Sequence, residues 1–176
     1  MLGNILILVV DSIASIVTCA LLLRFWMQAV RIRPPMQVAQ FVFQVSDWLV
    51  KPLRKVLPGL GGYDWASLVG AFLMVLASIA VYLLMHGFFS LEALVVFSFV
   101  RLLRWAIYGL TALLILEVIF SWVNPHAPLA PFVRAMNDPL LRPFRRILPP
   151  LGGLDLSPMV VLLIFQIVLQ VLPISP

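Results

Sequence analysis

Three charged residues lie inside long apolar runs of this chain, at Asp11, Arg24 and Glu117. Charged groups are costly within a bilayer, and those found there commonly pair with one another or line a path for ions or protons. The segments Arg24–Gln28 and Glu117–Ser121 align with each other, which places Arg24 and Glu117 at equivalent positions of two similar helices. We expect these two residues to form a buried ion pair that fixes the register of two halves, with a proton or ion relay as the alternative.

Other polar side chains also interrupt the apolar runs. Asp11 falls on a different helix face from Arg24, which leaves water, Arg101 and Arg104 as its candidate partners. Gln166 and Gln170 are one turn apart near the end of the chain. We expect this glutamine pair to form hydrogen bonds between helices.

Two short segments between the apolar runs are rich in basic residues. We expect six of their side chains to face anionic headgroups or protein partners: Lys51, Arg54, Lys55, Arg142, Arg145 and Arg146. A basic side chain near an anionic leaflet is worth about 1 kcal/mol. The two segments are copies, because residues 51–64 align without gaps with residues 142–155, at an offset of 91. A match of this length indicates that one unit has been duplicated.

Each copy carries the same backbone signals. A proline follows the first basic residue and is expected to end or restart a helix there. Glycine pairs permit a tight reversal of the chain at Gly61–Gly62 and Gly152–Gly153. Asp64, Asp155 and Ser157 are expected to cap the helix that returns, because a side-chain oxygen there accepts free backbone N–H groups.

Upstream of each copy, apolar residues recur at helical spacing: Val38, Phe41, Val42, Val45 and Leu49, then Leu129, Phe132, Val133, Met136 and Leu140. This pattern predicts a short amphipathic helix in each loop, lying in the plane of the headgroups. The alternative is a re-entrant or simply buried helix.

Composition places most of the chain in lipid. Of its 176 residues, 63% are hydrophobic and 11% are charged, and the mean hydropathy is +1.11, whereas a soluble domain of this size needs more polar surface. Roughly 20 apolar residues are needed for a helix to cross a bilayer. Four segments are assigned as spans: Leu2–Val30, Trp65–Phe89, Trp105–Val123 and Pro158–Ser175. The predicted fold is all-α, a polytopic membrane protein with four transmembrane helices in two parallel helix–loop–helix repeats.

The predicted first repeat covers residues 1–89, and the second covers residues 105–176. Residues 90–104 are interpreted as an interfacial connection, and whether this connection is continuous with the third span stays open. The second span opens with small residues that allow close helix packing: Ala66, Ser67, Gly70 and Ala71.

The distribution of basic residues predicts an orientation. The first and third loops hold nine lysines and arginines, whereas the second holds Arg101 and Arg104. Because basic residues favour the cytoplasmic side, we expect the first and third loops in the cytoplasm and both termini outside. The N-terminal run is expected to be retained, since no basic segment precedes it and it is too long for a signal peptide.

Residues that commonly catalyse reactions or bind metals are sparse. His86 and His126 are predicted on opposite sides of the membrane, and Cys19 is expected to be a small packing residue. No nucleophile–base pair or metal-ligand cluster can be assembled, so we expect no enzyme activity, metal or cofactor. The basic residues lie between apolar runs, which favours lipid over nucleic acid as their direct partner.

The doubled pattern resembles the YggT family of bacterial and plastid membrane proteins, also called YlmG. It reads basic-Pro-apolar-basic-basic-apolar-Leu-Pro, then Leu-Gly-Gly and Asp, and the resemblance covers nearly the whole chain. The second copy ends in Asp155-Leu-Ser157-Pro158. The first copy departs from this with Asp64-Trp-Ala-Ser67, so we expect a different cap on its helix.

What the resemblance implies is a non-enzymatic accessory or assembly role in the bacterial inner membrane. Members of the family are linked to division and nucleoid organisation, to osmotic tolerance and, in plastids, to maturation of a haem-bearing cytochrome complex. Expected partners are anionic lipid, other membrane proteins or a second copy of the chain. The alternative is a small ion or solute channel or transporter with Arg24 and Glu117 on its path. A lipid-modifying enzyme is a weaker third hypothesis.

Overall fold

The structure is a computed structural model that describes residues 2–57, 59, 61–87, 89–148 and 155–173, and helices are its regular secondary structure in these ranges. Six helices follow in chain order: α1 (Leu2–Ala29), α2 (Met36–Val56), α3 (Trp65–Met85), α4 (Leu91–Val123), α5 (Ala130–Ile147) and α6 (Ser157–Val171). When the numbering is shifted by 91 residues, α1 aligns with α4, α2 with α5 and α3 with α6. The chain therefore contains two copies of a three-helix unit.

Three helices are long and apolar enough to cross a membrane by length and composition: Gly3–Ala29 within α1, together with α3 and α4. α6 is apolar but has 15 residues, which gives a helix of about 22 Å. The predicted fourth span, Pro158–Ser175, is therefore helical only as far as Val171, and residues 174–176 lie outside the described part of the chain.

α4 is one uninterrupted helix of 33 residues, about 50 Å long. It starts at Ser90, whose hydroxyl accepts the Ala93 backbone N–H at 3.4 Å. The open question about residues 90–104 is thereby answered, because this segment continues directly into the third span. A domain boundary between residues 104 and 105 would fall inside α4. Continuity is possible because Arg101, which interrupts the apolar pattern, pairs with Asp11 of α1.

α1 and α3 pack along each other and form the centre of the first repeat. The predicted small residues at the start of α3 are all buried, which confirms their role in close packing. A Cβ atom at Gly70 would lie 3.3 Å from methyl groups of both Leu49 and Leu53. Glycine therefore lets α2 pack directly on the backbone of α3.

α2 and α5 lie at the same end of the molecule, here called the basic end. Met27 of α1, Val42 of α2 and Met136 of α5 share one buried cluster. Trp26 of α1 also donates its indole N–H to the Met136 carbonyl at 3.1 Å. Much of the apolar face predicted for α2 thus packs on the bundle, whereas Phe41 on that face is 60% exposed.

The prolines of the repeated segments do not end their helices. Pro52 lies inside α2 and Pro143 inside α5, and both helices continue for four more residues. The prediction that a helix stops or restarts at these positions is wrong. Both prolines fall in the last turns of short helices, where packing of the remaining turn on the bundle outweighs the lost backbone hydrogen bond.

The reversal between α2 and α3 has the predicted geometry. Gly61 and Gly62 have φ angles of 69° and 82°, in the left-handed region that glycine adopts without a steric penalty. The equivalent pair, Gly152–Gly153, lies outside the described residues.

Candidate functional site: charged clusters of the two repeats

Arg24 is buried at the basic end of the first repeat and is held by α2. Its Nη1 donates to Ser46 Oγ at 2.8 Å and to Asp47 Oδ1 at 2.7 Å. Its Nε lies 3.4 Å from Asp64 Oδ2, and its guanidinium stands 4.8 Å from the centre of the Phe43 ring. Arg24 is thus neutralised within its own repeat.

Asp64 stands at the N-cap of α3, as predicted, but its carboxylate does not bind the backbone there. It accepts Arg54 Nη2 at 2.6 Å and Arg54 Nε at 3.3 Å, and it accepts the Ser67 hydroxyl at 2.7 Å. The predicted capping chemistry is therefore wrong for Asp64. Arg54 competes successfully for its oxygens because a charge-assisted hydrogen bond is stronger than one to a backbone amide.

The carboxylates of this cluster are electrostatically stabilised. Hydrogen bonds from Arg24 and Lys51 lower the pKa of Asp47 below its ordinary value. Burial alone would raise the pKa of Asp64, but hydrogen bonds from Arg54 and Ser67 outweigh it, so the pKa is lowered. Both groups are charged at neutral pH and hold α2 against α1 and α3.

The second repeat builds its cluster around Arg145, which is the counterpart of Arg54. Its Nε donates to Asp155 Oδ2 at 2.7 Å, and its Nη2 donates to Glu117 Oε1 at 3.0 Å. Its Nη1 lies 3.5 Å from Asp138 Oδ1. One arginine here faces three carboxylates, whereas two arginines face two carboxylates in the first repeat.

Asp155 also receives the backbone N–H of Ser157 at 2.9 Å, which is the contact expected of a capping aspartate. Burial would raise the pKa of Asp155, but hydrogen bonds from Arg145 and Ser157 lower it. Ser157 itself is the first residue of α6, and Leu156 is its N-cap. The predicted capping role of Ser157 is wrong, because its hydroxyl has no hydrogen-bond partner within the described residues.

The predicted ion pair between Arg24 and Glu117 does not form. Arg24 binds Asp47 and Asp64, and Glu117 binds Arg145, so each residue is neutralised inside its own repeat. The shift of 91 residues that relates the two repeats pairs Arg24 with Ile115, so Arg24 and Glu117 do not occupy equivalent places. Both side chains instead turn towards the charged residues of the neighbouring short helix.

Four buried side-chain oxygens of the second repeat have no hydrogen-bond partner within the described residues: Thr111 Oγ1, Glu117 Oε2, Asn137 Oδ1 and Ser157 Oγ. Of these, Glu117 Oε2 and Asn137 Oδ1 lie in or beside the charged cluster. Asn137 takes the position equivalent to Ser46, and its Nδ2 donates to the Leu113 carbonyl at 2.8 Å. Glu117 is one turn further along the same face of α4. The second cluster therefore has acceptors in excess, and the first has donors in excess.

A third network lies on the other side of the bundle and joins the two repeats. Asp11 of α1 accepts the Ser78 hydroxyl of α3 at 2.7 Å and a hydrogen bond from Arg101 of α4. Arg101 also donates to Ser78 Oγ at 3.1 Å. Of the partners left open for Asp11, Arg101 is the one it binds.

Arg104 of α4 does not bind Asp11; it binds the end of α6 and Tyr108 of its own helix. It donates to the Leu169 and Leu172 carbonyls at 3.3 Å each, and to the Tyr108 hydroxyl at 3.2 Å. Arg104 therefore satisfies carbonyls at the end of α6, as basic residues commonly do at helix C-termini.

Gln166 and Gln170 both lie on the exposed side of α6. Neither glutamine forms a hydrogen bond to another helix within the described residues, because α6 packs on α4 and α5 through Val161 and Leu169 on its opposite side. The predicted hydrogen bonds between helices stay a prediction. The i, i+4 spacing correctly placed the glutamines on one face but could not identify what that face contacts.

The six basic residues predicted to face lipid or partners divide into two groups. Arg54 and Arg145 bind acidic residues of the chain, which corrects that prediction for both. Lys51 is exposed and forms an i, i+4 pair with Asp47 at 3.0 Å. The remaining three are exposed and form no ion pair within the described ranges: Lys55, Arg142 and Arg146.

Candidate metal ligands do not converge in the part of the chain that the structure describes. His86 Nδ1 lies 2.9 Å from the Tyr82 carbonyl, and its ring stacks on Tyr82. Cys19 is exposed on the surface of α1 and is not packed in the interior of the chain. Its predicted role as a packing residue therefore does not hold within a single chain.

Asp47, Asp138 and Ser78 were missed as functional residues by the sequence interpretation. The first two could have been found, because the shift of 91 that pairs Asp64 with Asp155 also pairs Asp47 with Asp138. Ser78 has no such signal, since a serine in an apolar helix is as often a small packing residue.

The two-copy arrangement also appears in comparisons with known proteins. The family model CCB3/YggT matches residues 3–85 and again residues 96–175. The chain belongs to the CCB3/YggT family. Each match covers one three-helix unit of the structure.

Two relatives show how similar this chain is to other proteins of the family. The uncharacterized protein PA0392 of Pseudomonas aeruginosa is 37% identical over 172 residues, which cover 92% of this chain and 85% of the relative. The uncharacterized protein YggT of Escherichia coli K12 is 32% identical over 166 residues, which cover 94% and 87% of the two chains. No solved structure matches the chain significantly.

Proposed function

We propose that this chain is a non-enzymatic accessory or assembly protein of the membrane, which binds anionic lipid and partner membrane proteins through its basic end. One observation carries the proposal. Val56 and Ile147, at equivalent positions, are each 77% exposed and directly follow Lys55 and Arg146. An exposed apolar side chain beside an exposed cation suits the boundary between acyl chains and anionic headgroups.

We place the chain in the bacterial inner membrane, with the basic end in the cytoplasm and both termini outside. The relatives from Pseudomonas and Escherichia support a bacterial setting, and nine basic loop residues support the orientation. α6 serves as the fourth span. Its length of about 22 Å is short for a typical hydrocarbon core, which a membrane accommodates by local thinning.

Protein partners are expected at the outer surface of α6. Gln166 and Gln170 are exposed there among apolar residues. A polar amide exposed to lipid is costly, and a helix from another protein or from a second copy of the chain would satisfy it.

Lipid retention tests the first part of the proposal. The protein is purified in dodecyl maltoside, and the phospholipids retained per chain are quantified by mass spectrometry. A Lys55→Ala/Arg142→Ala/Arg146→Ala variant should retain markedly less anionic lipid than the wild type. The matched control replaces three exposed neutral residues of α2, Gln37, Gln40 and Gln44, by alanine. Equal retention in all three proteins would refute lipid binding at these basic residues.

Partner binding needs a separate test. The intact protein is captured from membranes in mild detergent, and the co-purifying membrane proteins are identified. A Gln166→Leu/Gln170→Leu variant should lose a partner that the wild type captures reproducibly. A protein that runs alone in both forms would argue against a scaffolding role for α6.

The alternative function is a small channel or transporter. The unpartnered oxygens of Glu117 and Asn137 favour it, because excess acceptors suit a passing cation or proton. Flux of ions or solutes into proteoliposomes decides the question. Movement that is abolished in Glu117→Ala would replace the accessory role with transport.

A further inference from the structure

A pocket of about 380 Å³ opens at the basic end of the first repeat, beside the C-terminus of α1. Four arginines line it, together with one amide and one aromatic ring: Arg24, Arg31, Arg33, Arg54, Gln28 and Phe43. Its volume lies in the range of pockets that hold small molecules. So many guanidinium groups around one cavity indicate an anionic ligand.

Two of these arginines are fixed in place, and two are free to bind. Arg24 and Arg54 are held by the carboxylates of Asp47 and Asp64. The side chains of Arg31 and Arg33 are exposed and form no hydrogen bond or ion pair with any described residue. Four cations thus face two anions, which leaves an excess of two positive charges around the pocket.

The backbone at Arg31 is arranged in an unusual way. α1 ends in a Schellman motif, in which the Arg31 N–H donates to the Gln28 carbonyl and the Ile32 N–H donates to the Met27 carbonyl, both at 3.0 Å. Arg31 has a φ of 60°, at the position of this motif where glycine is strongly preferred. An arginine is kept here despite its steric penalty, and such local strain is concentrated at functional sites.

The second repeat has no equivalent of the two free arginines. A shift of 91 residues places Trp122 and Asn124 at the positions of Arg31 and Arg33. The shared architecture of the repeats therefore does not require cations here. They are a specific property of the first repeat.

We propose that this pocket binds a phosphate group, with Arg31 and Arg33 as its principal ligands. The geometry fits the phosphodiester of an anionic phospholipid or a free phosphate ion, since guanidinium groups bind phosphate oxygens in a bidentate manner. Gln28 and the ring of Phe43 would contact the rest of a headgroup. This inference deepens the lipid binding proposed above and depends on it for its physiological setting.

The test is a binding measurement on the full-length protein in dodecyl maltoside, which carries no phosphate. The probes are phosphatidylglycerol in one series and inorganic phosphate in another, and the readout is the shift in the midpoint of thermal unfolding against probe concentration. An Arg31→Asn/Arg33→Gln variant should weaken the apparent affinity by about tenfold or more. Asparagine is chosen at position 31 because it tolerates the left-handed backbone.

Three further variants separate binding from folding. Arg134→Gln removes an exposed cation outside the pocket and should bind both probes like the wild type. Lys55→Gln/Arg146→Gln removes two cations of the proposed lipid-binding surface and should leave the affinity for inorganic phosphate unchanged. Arg31→Lys/Arg33→Lys keeps the charge but loses the bidentate geometry, so its affinity should fall between those of the wild type and the neutral variant. Because the lysine variant retains both charges, it gives a second reading if the neutral variant fails to fold.

The outcomes distinguish the ligands and the two proposals. Binding of phosphatidylglycerol alone, lost in the pocket variant, identifies a lipid site, and equal binding of inorganic phosphate identifies a soluble ligand. If lipid binding were lost only in Lys55→Gln/Arg146→Gln, phosphate binding in the pocket would be refuted and the proposed function would stand. If neither probe shifted the midpoint of thermal unfolding of the wild type, phosphate binding in the pocket would also be refuted.

Discussion

Arg54 and Arg145 lie 91 residues apart, and each donates to the aspartate ten residues further along the chain. Arg54 Nη2 reaches Asp64 Oδ2 at 2.6 Å, and Arg145 Nε reaches Asp155 Oδ2 at 2.7 Å. Each contact closes the loop between a short helix and the apolar helix that follows. The burial of the two aspartates differs, however, since the Asp64 side chain is 3% exposed and that of Asp155 is 41% exposed.

This difference predicts unequal costs for the same substitution. Asp64→Ala leaves Arg24 and Arg54 short of a buried counter-ion and should destabilise the fold by about 2–3 kcal/mol. Asp155→Ala removes a partly exposed carboxylate and should cost about 1 kcal/mol or less. Unfolding in micelles with increasing dodecyl sulfate measures both values. Equal losses would contradict the assigned burial.

Exchange of charge between Arg24 and Glu117 should not restore stability. The two residues bind different partners, so Arg24→Glu and Glu117→Arg should destabilise independently, and the double variant should lose the sum within about 0.5 kcal/mol. The same unfolding assay on the two single variants and the double variant decides this. Recovery in the double variant would revive a direct contact between these residues.

A double-mutant cycle should detect the contact between Asp11 and Arg101. Because Asp11 is partly exposed, the coupling between Asp11→Asn and Arg101→Gln should be modest, at about 1 kcal/mol. The matched control pairs Asp11→Asn with Arg104→Gln, which should be additive since Arg104 binds the end of α6. Coupling in the control cycle alone would show that Asp11 binds Arg104 instead.

Acid should destabilise the basic end. The pKa values of Asp47, Asp64 and Asp155 are lowered in the folded protein, whereas an unfolded aspartate titrates near about 3.9. Their contribution is therefore fully present above the unfolded pKa and is lost as the pH falls through the lower folded values. The midpoint of thermal unfolding should drop between about pH 5 and pH 2.

The control for this pH dependence is a variant with all three aspartates replaced by asparagine. It should be less stable than the wild type at pH 7 and should change less on acidification. A wild-type midpoint that stays constant down to pH 2 would contradict the lowered pKa values.

Single cysteines should report the orientation and the fourth span. In a Cys19→Ser background, Arg33→Cys and Arg146→Cys should react with an impermeant maleimide only after the cells are lysed. Phe89→Cys and Pro173→Cys should react in intact cells once the outer membrane is permeabilised. Labelling of Pro173→Cys only after lysis would show that α6 does not cross the membrane.

The sequence predicted the repeat and the buried small residues of α3, because both depend on local composition or on direct alignment. It also predicted that Asp64 would stand at the start of a helix. It could not predict that Arg54, and not a backbone amide, would bind that aspartate, because the choice depends on how α2 packs against α3. The sequence could not show either that α4 is continuous, because Arg101 interrupts its apolar pattern and the contact with Asp11 that neutralises this charge depends on how α1 packs against α4.

The prediction that Arg24 pairs with Glu117 was also wrong. The helix endings were aligned two residues out of step with the shift of 91 that relates the repeats, which pairs Arg24 with Ile115 and not with Glu117. Arg24 and Glu117 each had acidic or basic candidates in the adjacent short helix, at Asp47 and Arg145. Asp47 and Arg145 are the actual partners because α1 packs on α2 and α4 packs on α5.

At the basic end, the first repeat carries more net positive charge than the second, so charge is distributed unevenly in the plane of the membrane. In the first repeat six cations accompany two anions: Arg24, Arg31, Arg33, Lys51, Arg54 and Lys55, with Asp47 and Asp64. In the second repeat four cations accompany three anions: Arg134, Arg142, Arg145 and Arg146, with Glu117, Asp138 and Asp155. A charged partner approaching along the bilayer therefore meets two distinguishable flanks. The two repeats share one helical scaffold, and the difference in their charges makes its two sides electrically unequal.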